Sequence, residues 1–267
     1  MTIVADVCRY LELFAPTALA EEWDNVGLLM GDRQDSVAKV MTCLTVTNAV
    51  VEEAIAEAAD MVVTHHPIPF KGVKRISTDS PTGSLLWSLA SNGIAVYSPH
   101  TAFDSARGGI NQQLADGLEL SEVKPLVPLA EADNESLAGL GTGRRGDCQP
   151  LTLATLATSV ANFLHVDGVH IVGDRQMEIT RIAIGCGSAG EFIRPAARSG
   201  CQVLLTGEAR FHTCLEAEQL GIAMILPGHY ASERFALESL AAKLTEEFLG
   251  VTVWASRQES DPLKWTS

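Results

Sequence analysis

The chain predicts an α/β fold of two duplicated α-β-(βα)n halves, with mixed, mostly parallel sheets and a site in the cleft at the carboxyl ends of the strands. The first observation is an internal repeat. The stretch VGLLMGDRQDSVAKVMTCLTVTNAVVEEAIAEAADMVVTHH from Val26 aligns without gaps on GVHIVGDRQMEITRIAIGCGSAGEFIRPAARSGCQVLLTGE from Gly168. Gly31-Asp32-Arg33-Gln34 falls on Gly173-Asp174-Arg175-Gln176 at one offset, 173 − 31 = 142, which also carries Thr64 onto Thr206. A register held across a whole strand–helix–strand unit marks a duplication. The second observation is the alternation of short apolar runs with helical patterns, which implies parallel pairing and right-handed crossovers. The third is a set of histidines and carboxylates just past several of those runs, where open α/β sheets place their sites.

Taken in order, residues 4–14 and 152–164 show helical apolar spacing and open the two halves. Strands are expected at 26–30, 39–46, 61–64 and 94–97, and again at 168–172, 179–185, 202–205 and 222–226. Helical patterns at 48–59, 83–91, 188–199, 210–220 and 232–247 separate them. Runs such as Met61-Val62-Val63 are apolar on both faces, as buried parallel strands should be. After a length change the repeat resumes, with Gly93-Ile94-Ala95 leading to Pro99 as Gly221-Ile222-Ala223 leads to Pro227. The first half carries about fourteen extra residues directly after His65-His66, and such insertions usually sit in functional surface loops. Residues 120–150 read as the connection, so the halves divide as 1–125 and 126–267.

Composition excludes several functions. The formal charge of −14 over 267 residues argues against duplex nucleic acid as partner, which needs clustered positive charge. No apolar run is long enough for a bilayer span and no signal peptide is evident, so a cytoplasmic setting is expected. The six cysteines form no C-x-x-C pair and read as reduced thiols.

The chemistry sits at the strand ends. Thr64-His65-His66 closes one run, YSPHTAFDS (97–105) carries His100 and Asp104 past the next, and PGHYASE carries His229 and Glu233 four apart at a helix start. Adjacent histidines on extended chain point in opposite directions, which suits two ions better than one. His65 and His66 would each feed one ion, with Asp104, His229 and Glu233 completing the set. Such ligands suit zinc, iron, manganese or nickel. Each group also has a plain structural role available: Asp104 as a helix cap, Glu233 as a first-turn acid. Glu208, His212 and His100 are candidates for groups behind the ligands or for a proton shuttle. Trp23-Asp24-Asn25 reads by composition as a turn with an aromatic anchor. Lys71, Lys74 and Arg75 in the insertion either guide an anion or make a solvated loop, and Arg144-Arg145 suggests only solvent or subunit contact.

The stretches EEWDNVGLLMGD, VVTHHP, SPHTAFDSARGGIN, LLTGEARFH and PGHYASERFALESLA together resemble the NIF-three-like family of dinuclear-metal proteins, also catalogued as GTP cyclohydrolase type I, type-2 homologues. The resemblance spans nearly the whole chain. It implies a metal pair held by His65, His66, Asp104, His229 and Glu233, with Glu233 bridging, and a ring-shaped homohexamer. It also implies that Trp23-Asp24-Asn25 wall the site. It is to the short form, because 120–150 cannot hold an inserted middle domain. The family's GHYATE is GHYASE here, which leaves both proposed ligands in place. The function expected is a metal-dependent hydrolase acting on a small heterocyclic or phosphorylated metabolite, cyclohydrolase-like by resemblance, with an anionic small molecule as ligand. The alternative is a non-enzymatic hexameric metal-binding scaffold or regulator.

Overall fold

The computed structural model describes residues 1–129 and 139–264. Two compact units emerge, one of Met1–Phe103 with Ala236–Pro262 and one built on Asp104–Phe235. The division at 125/126 separates sequence repeats and not packing units; the first unit includes the C-terminal strand through its pairing with β2.

The first unit holds a five-stranded sheet. Its elements are α1 (Val4–Phe14), β1 (Gly27–Met30), β2 (Lys39–Cys43), α2 (Asn48–Ala56), β3 (Met61–Thr64), α3 (Pro81–Ser91), β4 (Ala95–Ser98) and the start of α4 (His100–Ser105). In the second come α5 (Ile110–Gly117), β5 (Ser121–Lys124), β6 (Val127–Pro128), β7 (Gly141–Thr142), β8 (Arg144–Thr152), α6 (Leu153–Leu164), β9 (His170–Val172), β10 (Glu178–Gly185) and α7 (Ile193–Arg198). It continues through β11 (Val203–Thr206), α8 (Phe211–Leu220), β12 (Ala223–Leu226) and the start of α9 (His229–Glu247), and β13 (Thr252–Ala255) closes the chain.

The sheets carry the duplication. Their orders are β1-β4-β3-β2-β13 and β5-β8-β10-β11-β12-β9, so β1-β4-β3-β2 repeats as β9-β12-β11-β10. Pairing sense and register repeat too: Val40 faces Met61 as Ile182 faces Val203, and Cys43 faces Thr64 as Gly185 faces Thr206. Gly31 and Gly173 share a positive φ and a close approach to Ala95 and Ala223 respectively. At Gly31 a Cβ would overlap Ala95, so the glycine of the repeated GDRQ turn is a packing requirement of the sheet.

Each sheet is buried by its own helices. In the first unit Val50, Val51 and Ala54 of α2 and Leu86 and Leu89 of α3 pack on Met41, Val62 and Val96. Ala183, Leu204 and Met224 take the same role in the second, under Ile193 and Ala196 of α7 and Ala217 of α8. Burial of such apolar surface stabilises by about 25 cal/mol per Å². Among the described residues no helix is long and apolar enough to cross a membrane, and all six cysteines are free.

Several expectations need correction. The 120–150 connection contributes strands: β8 pairs antiparallel with β10, and β5 with β8, extending the second sheet. Its residues lack the apolar signature because β5 is an exposed edge strand and β8 beside it is only partly buried; residues 130–138 of it lie outside the described residues. The helix expected over 188–199 is a 3₁₀ turn at Gly190–Phe192 followed by α7. β13 was not anticipated, although Thr252–Ala255 pairs parallel with β2.

One buried carboxylate fastens β13. Glu53 of α2 accepts hydrogen bonds from Trp254 Nε1 (3.1 Å), Ser256 Oγ (2.6 Å), Arg257 N (3.0 Å) and Gln258 N (3.1 Å). Burial opposes ionisation of Glu53, but these donors outweigh it and hold the carboxyl below its ordinary 4.5. Because the folded-state pKa is the lower one, this stabilisation is present above the unfolded value and is lost as pH falls through the folded one. Glu53→Gln should therefore destabilise the protein by about 2–4 kcal/mol at neutral pH. Urea denaturation should show the gap to wild type narrowing below about pH 4.5, the ordinary value of this carboxyl.

Candidate metal centre

The first donor cluster grows out of the end of β3. The β2–β3 ladder continues past Thr64, with His65 N donating to Cys43 O (2.9 Å) and His66 N to Leu44 O (2.8 Å). Ser98 Oγ donates to His65 O at 2.6 Å, and Thr64 Oγ1 to His66 O at 3.1 Å. The chain bends at 65–66, so the imidazoles are not thrown to opposite sides as an extended strand would require. Their ring centroids lie 5.0 Å apart, and His100 at the start of α4 comes within 5.1 Å of His65 and 5.7 Å of His66. One ring nitrogen from each of the three histidines falls within 4.8 Å of the others. His65 is fully buried, and His66 and His100 are partly so.

The ring orientations are held from behind. His66 Nδ1 is 2.7 Å from Thr45 Oγ1, and the Thr45 and Leu44 amides donate to the Glu259 carboxylate at 2.6 and 2.9 Å. His100 Nδ1 is 2.7 Å from Asp24 Oδ1, and Thr101 donates to Asp24 Oδ2 through N (3.1 Å) and Oγ1 (2.5 Å). Burial alone would raise the Asp24 pKa, yet the His100 and Thr101 bonds bring it down to about 2. An Nδ1 engaged in this way leaves Nε2 for a metal, an arrangement common behind ligating histidines. His100, read from sequence as a shuttle or supporting group, thus stands among the donors themselves. The missed signal was its structural counterpart His229, one residue out of the Pro99–Pro227 register: each begins the helix after the fourth strand of its half, four residues before a carboxylate.

The second unit assembles carboxylates. An oxygen of Asp104 and one of Glu233 lie within 4.8 Å of each other. His229 Nε2 is 3.1 Å from Glu233 Oε2, and its Nδ1 is 3.1 Å from Glu208 Oε1. The Glu233 hydrogen bond, opposed by burial and reinforced by Glu208, pushes the His229 pKa up to about 9. Glu208 thus backs His229 as Asp24 backs His100. His212 sits on the exposed part of α8 and belongs to none of the donor groups among the described residues.

Two neighbours fix Asp104. Cys186 Sγ lies 3.1 Å from Asp104 Oδ1, and burial, with Asp104 and Glu233 adding to it, pushes its thiol pKa well up, so the thiol stays protonated and donates. Arg144 is buried rather than solvated: its guanidinium donates to the carbonyls of Ser105 (2.9 Å), Ala106 (2.8 Å), Gly141 (3.0 Å) and Gly143 (2.8 Å) and to Gln112 Oε1 (3.0 Å). It thereby caps the end of α4 that carries Asp104. Sequence could not show this, because backbone carbonyls leave no mark in it.

The donor set suits a transition metal: imidazoles, with Nδ1 of His66, His100 and His229 held by neighbouring oxygens, and ionisable carboxylates. Gly187 makes room for it. It has φ +62°, and a Cβ there would overlap Glu233 Oε1 and approach His229 Nε2 to 3.3 Å. Gly187→Ala should destabilise the protein by about 1–3 kcal/mol, from left-handed strain plus displacement of Glu233. Gly168→Ala, at a glycine with nothing within 4 Å and no positive φ, is the control and should be near neutral by chemical denaturation.

The family profile described as Duf34/NIF3 (NGG1p interacting factor 3) matches residues 2–262. A Clostridium acetobutylicum protein named GTP cyclohydrolase 1 type 2 homolog is 32% identical, covering 98% of each chain. The Drosophila melanogaster NIF3-like protein 1 is 31% identical over 97% of this chain and 88% of its own. Among solved structures, the Staphylococcus aureus hypothetical protein SA1388 superposes with a TM-score of 0.89 at 27% identity, covering 99% of each chain. The Bacillus cereus protein related to NIF3 shares the fold with a TM-score of 0.90 at 23% identity, over 100% of this chain and 99% of its own. The chain belongs to the Duf34/NIF3 family.

Proposed function

We propose that this protein is a metal-dependent hydrolase with a two-metal centre, acting on a small heterocyclic or phosphorylated metabolite. The ions would be held by His65, His66, Asp104, His229 and Glu233, with His100 added to the set that sequence suggested. The observation that carries the reading is the support behind the histidines: Thr45 on His66, Asp24 on His100 and Glu208 on His229 each engage Nδ1. Surface or capping histidines need no such orientation, whereas ligating ones do. His100 and Asp104 lie four residues apart on α4, as His229 and Glu233 do on α9, so each pair shares one helical face.

Two divalent ions, when bound, supply Lewis acidity that acidifies water and polarises the bond under attack. The chain's own groups do the rest. Asp24, Thr45 and Glu208 fix the imidazoles, and the Cys186 thiol and Arg144 hold Asp104 and the helix end beneath it. Glu208, about half exposed, is the carboxylate placed to pass a proton to solvent. Two dications against Asp104 and Glu233 leave the centre locally positive, which favours an anionic ligand despite the acidic chain. The relatives' name, GTP cyclohydrolase 1 type 2 homolog, falls within this class of chemistry.

Reconstitution with Zn²⁺, Mn²⁺ and Fe²⁺ followed by elemental analysis should return two ions per chain. Less than one would end the dinuclear reading. Glu233→Ala should lose both ions, and His65→Ala mainly one. Turnover of a panel of esters, amides and nucleotides by the loaded protein, abolished in Asp104→Ala, would support a hydrolase; a loaded protein inert on the whole panel would favour the scaffold alternative.

A further inference from the structure

Beside the histidine cluster of the first unit stand two aromatic side chains that the metal reading does not use. Trp23 is 61% exposed and Phe70 48%, although both are large apolar groups. Their centroids are 5.8 Å apart at 49°, and each lies 6.1 Å from the His100 ring, edge on. Neither is a loose surface residue by backbone. Asn25 Nδ2 donates to Pro69 O at 2.8 Å, tying the Trp23 segment to the foot of the Phe70 loop. Glu21 N donates to Thr101 Oγ1 at 3.0 Å, and Asp24 is bonded to His100 and Thr101, so the segment is pinned on both sides of Trp23.

An exposed aromatic pair costs hydration free energy unless something covers it. Here it adjoins metal-type donors and is continuous with Lys71, Lys74 and Arg75, all exposed, on the insertion absent from the second repeat. We propose that Trp23 and Phe70 form a stacking platform for the planar heterocyclic ring of an anionic, nucleotide-class metabolite. The proposal rests on the metal reading above and names the substrate class for that site. The two rings touch each other at a tilt, so they make a corner and not a slot, and the ligand ring stacks on an outer face. The more exposed and larger Trp23 carries most of the contact. His100, edge on to both rings, sets the direction: the heterocycle lies on the platform and its anionic group points toward the metal donors, with the loop cations adding to the attraction.

The test is calorimetry on the full-length, metal-loaded chain with three probes: guanosine 5′-monophosphate, ribose 5-phosphate and inorganic phosphate. The nucleotide should bind roughly 5- to 100-fold more tightly than ribose 5-phosphate, the increment typical of one base on one aromatic. Trp23→Ala should erase that increment and Phe70→Ala reduce it, while metal content and ribose 5-phosphate affinity stay unchanged. Trp23→Phe should restore part of it. Equal affinity for nucleotide and ribose 5-phosphate in the wild type, or a Trp23→Ala protein that binds the nucleotide as wild type does, overturns the platform. Phosphate binding equally to metal-free and metal-loaded protein would instead count against the metal centre as the anion site, and the platform is then judged on the nucleotide increment alone.

Discussion

The site of this protein depends on a β-ladder that runs two residues past the end of its strand. His65 and His66 keep their amides bonded to Cys43 and Leu44, so two adjacent imidazoles begin from a backbone that cannot shift. Buried backbone groups must find partners, and here the partners are supplied by the neighbouring parallel strand. The bend that follows turns both rings to within 5.0 Å of each other. A flexible loop could carry the same two residues, but it would incur an ordering cost each time an ion bound.

Duplication explains why the remaining donors come in matched form. Four strands and their registers recur, and past the fourth strand of each half a helix begins with a histidine four residues ahead of a carboxylate. Each of those histidines has its Nδ1 against an acid, Asp24 in one half and Glu208 in the other. The halves have diverged at the third strand, where His65-His66 stands against Gly207-Glu208. Each half therefore offers a histidine and a carboxylate on the helix after its fourth strand, and the first half adds the His65-His66 pair, while the fold that positions them stays the same.

What was legible in the sequence follows from how each feature is encoded. Buried parallel strands are written as apolar runs, so β2, β3, β4, β10, β11 and β12 could be read directly, and the repeat fixed their correspondence. The edge strands β5 and β13, and the half-exposed β8 between β5 and β10, carry no such signature, and β13 is held by Glu53 from elsewhere in the chain. Arg144 was misread because its partners are main-chain carbonyls. The opposed directions expected of His65 and His66 presumed an extended chain, which the bend before Pro67 removes. The donor residue types were visible as a pattern; the Thr45–His66 support, and the shift of His100 from helper to donor, required coordinates.

The central claim is a pair of ions on these side chains. Anomalous diffraction from crystals of the manganese- or zinc-reconstituted protein, recorded at the metal edge, tests it most directly. The account predicts two peaks about 3.5–4 Å apart, one against His65 and the other against His66, with Glu233 touching both. A single peak, or peaks away from these residues, would contradict it.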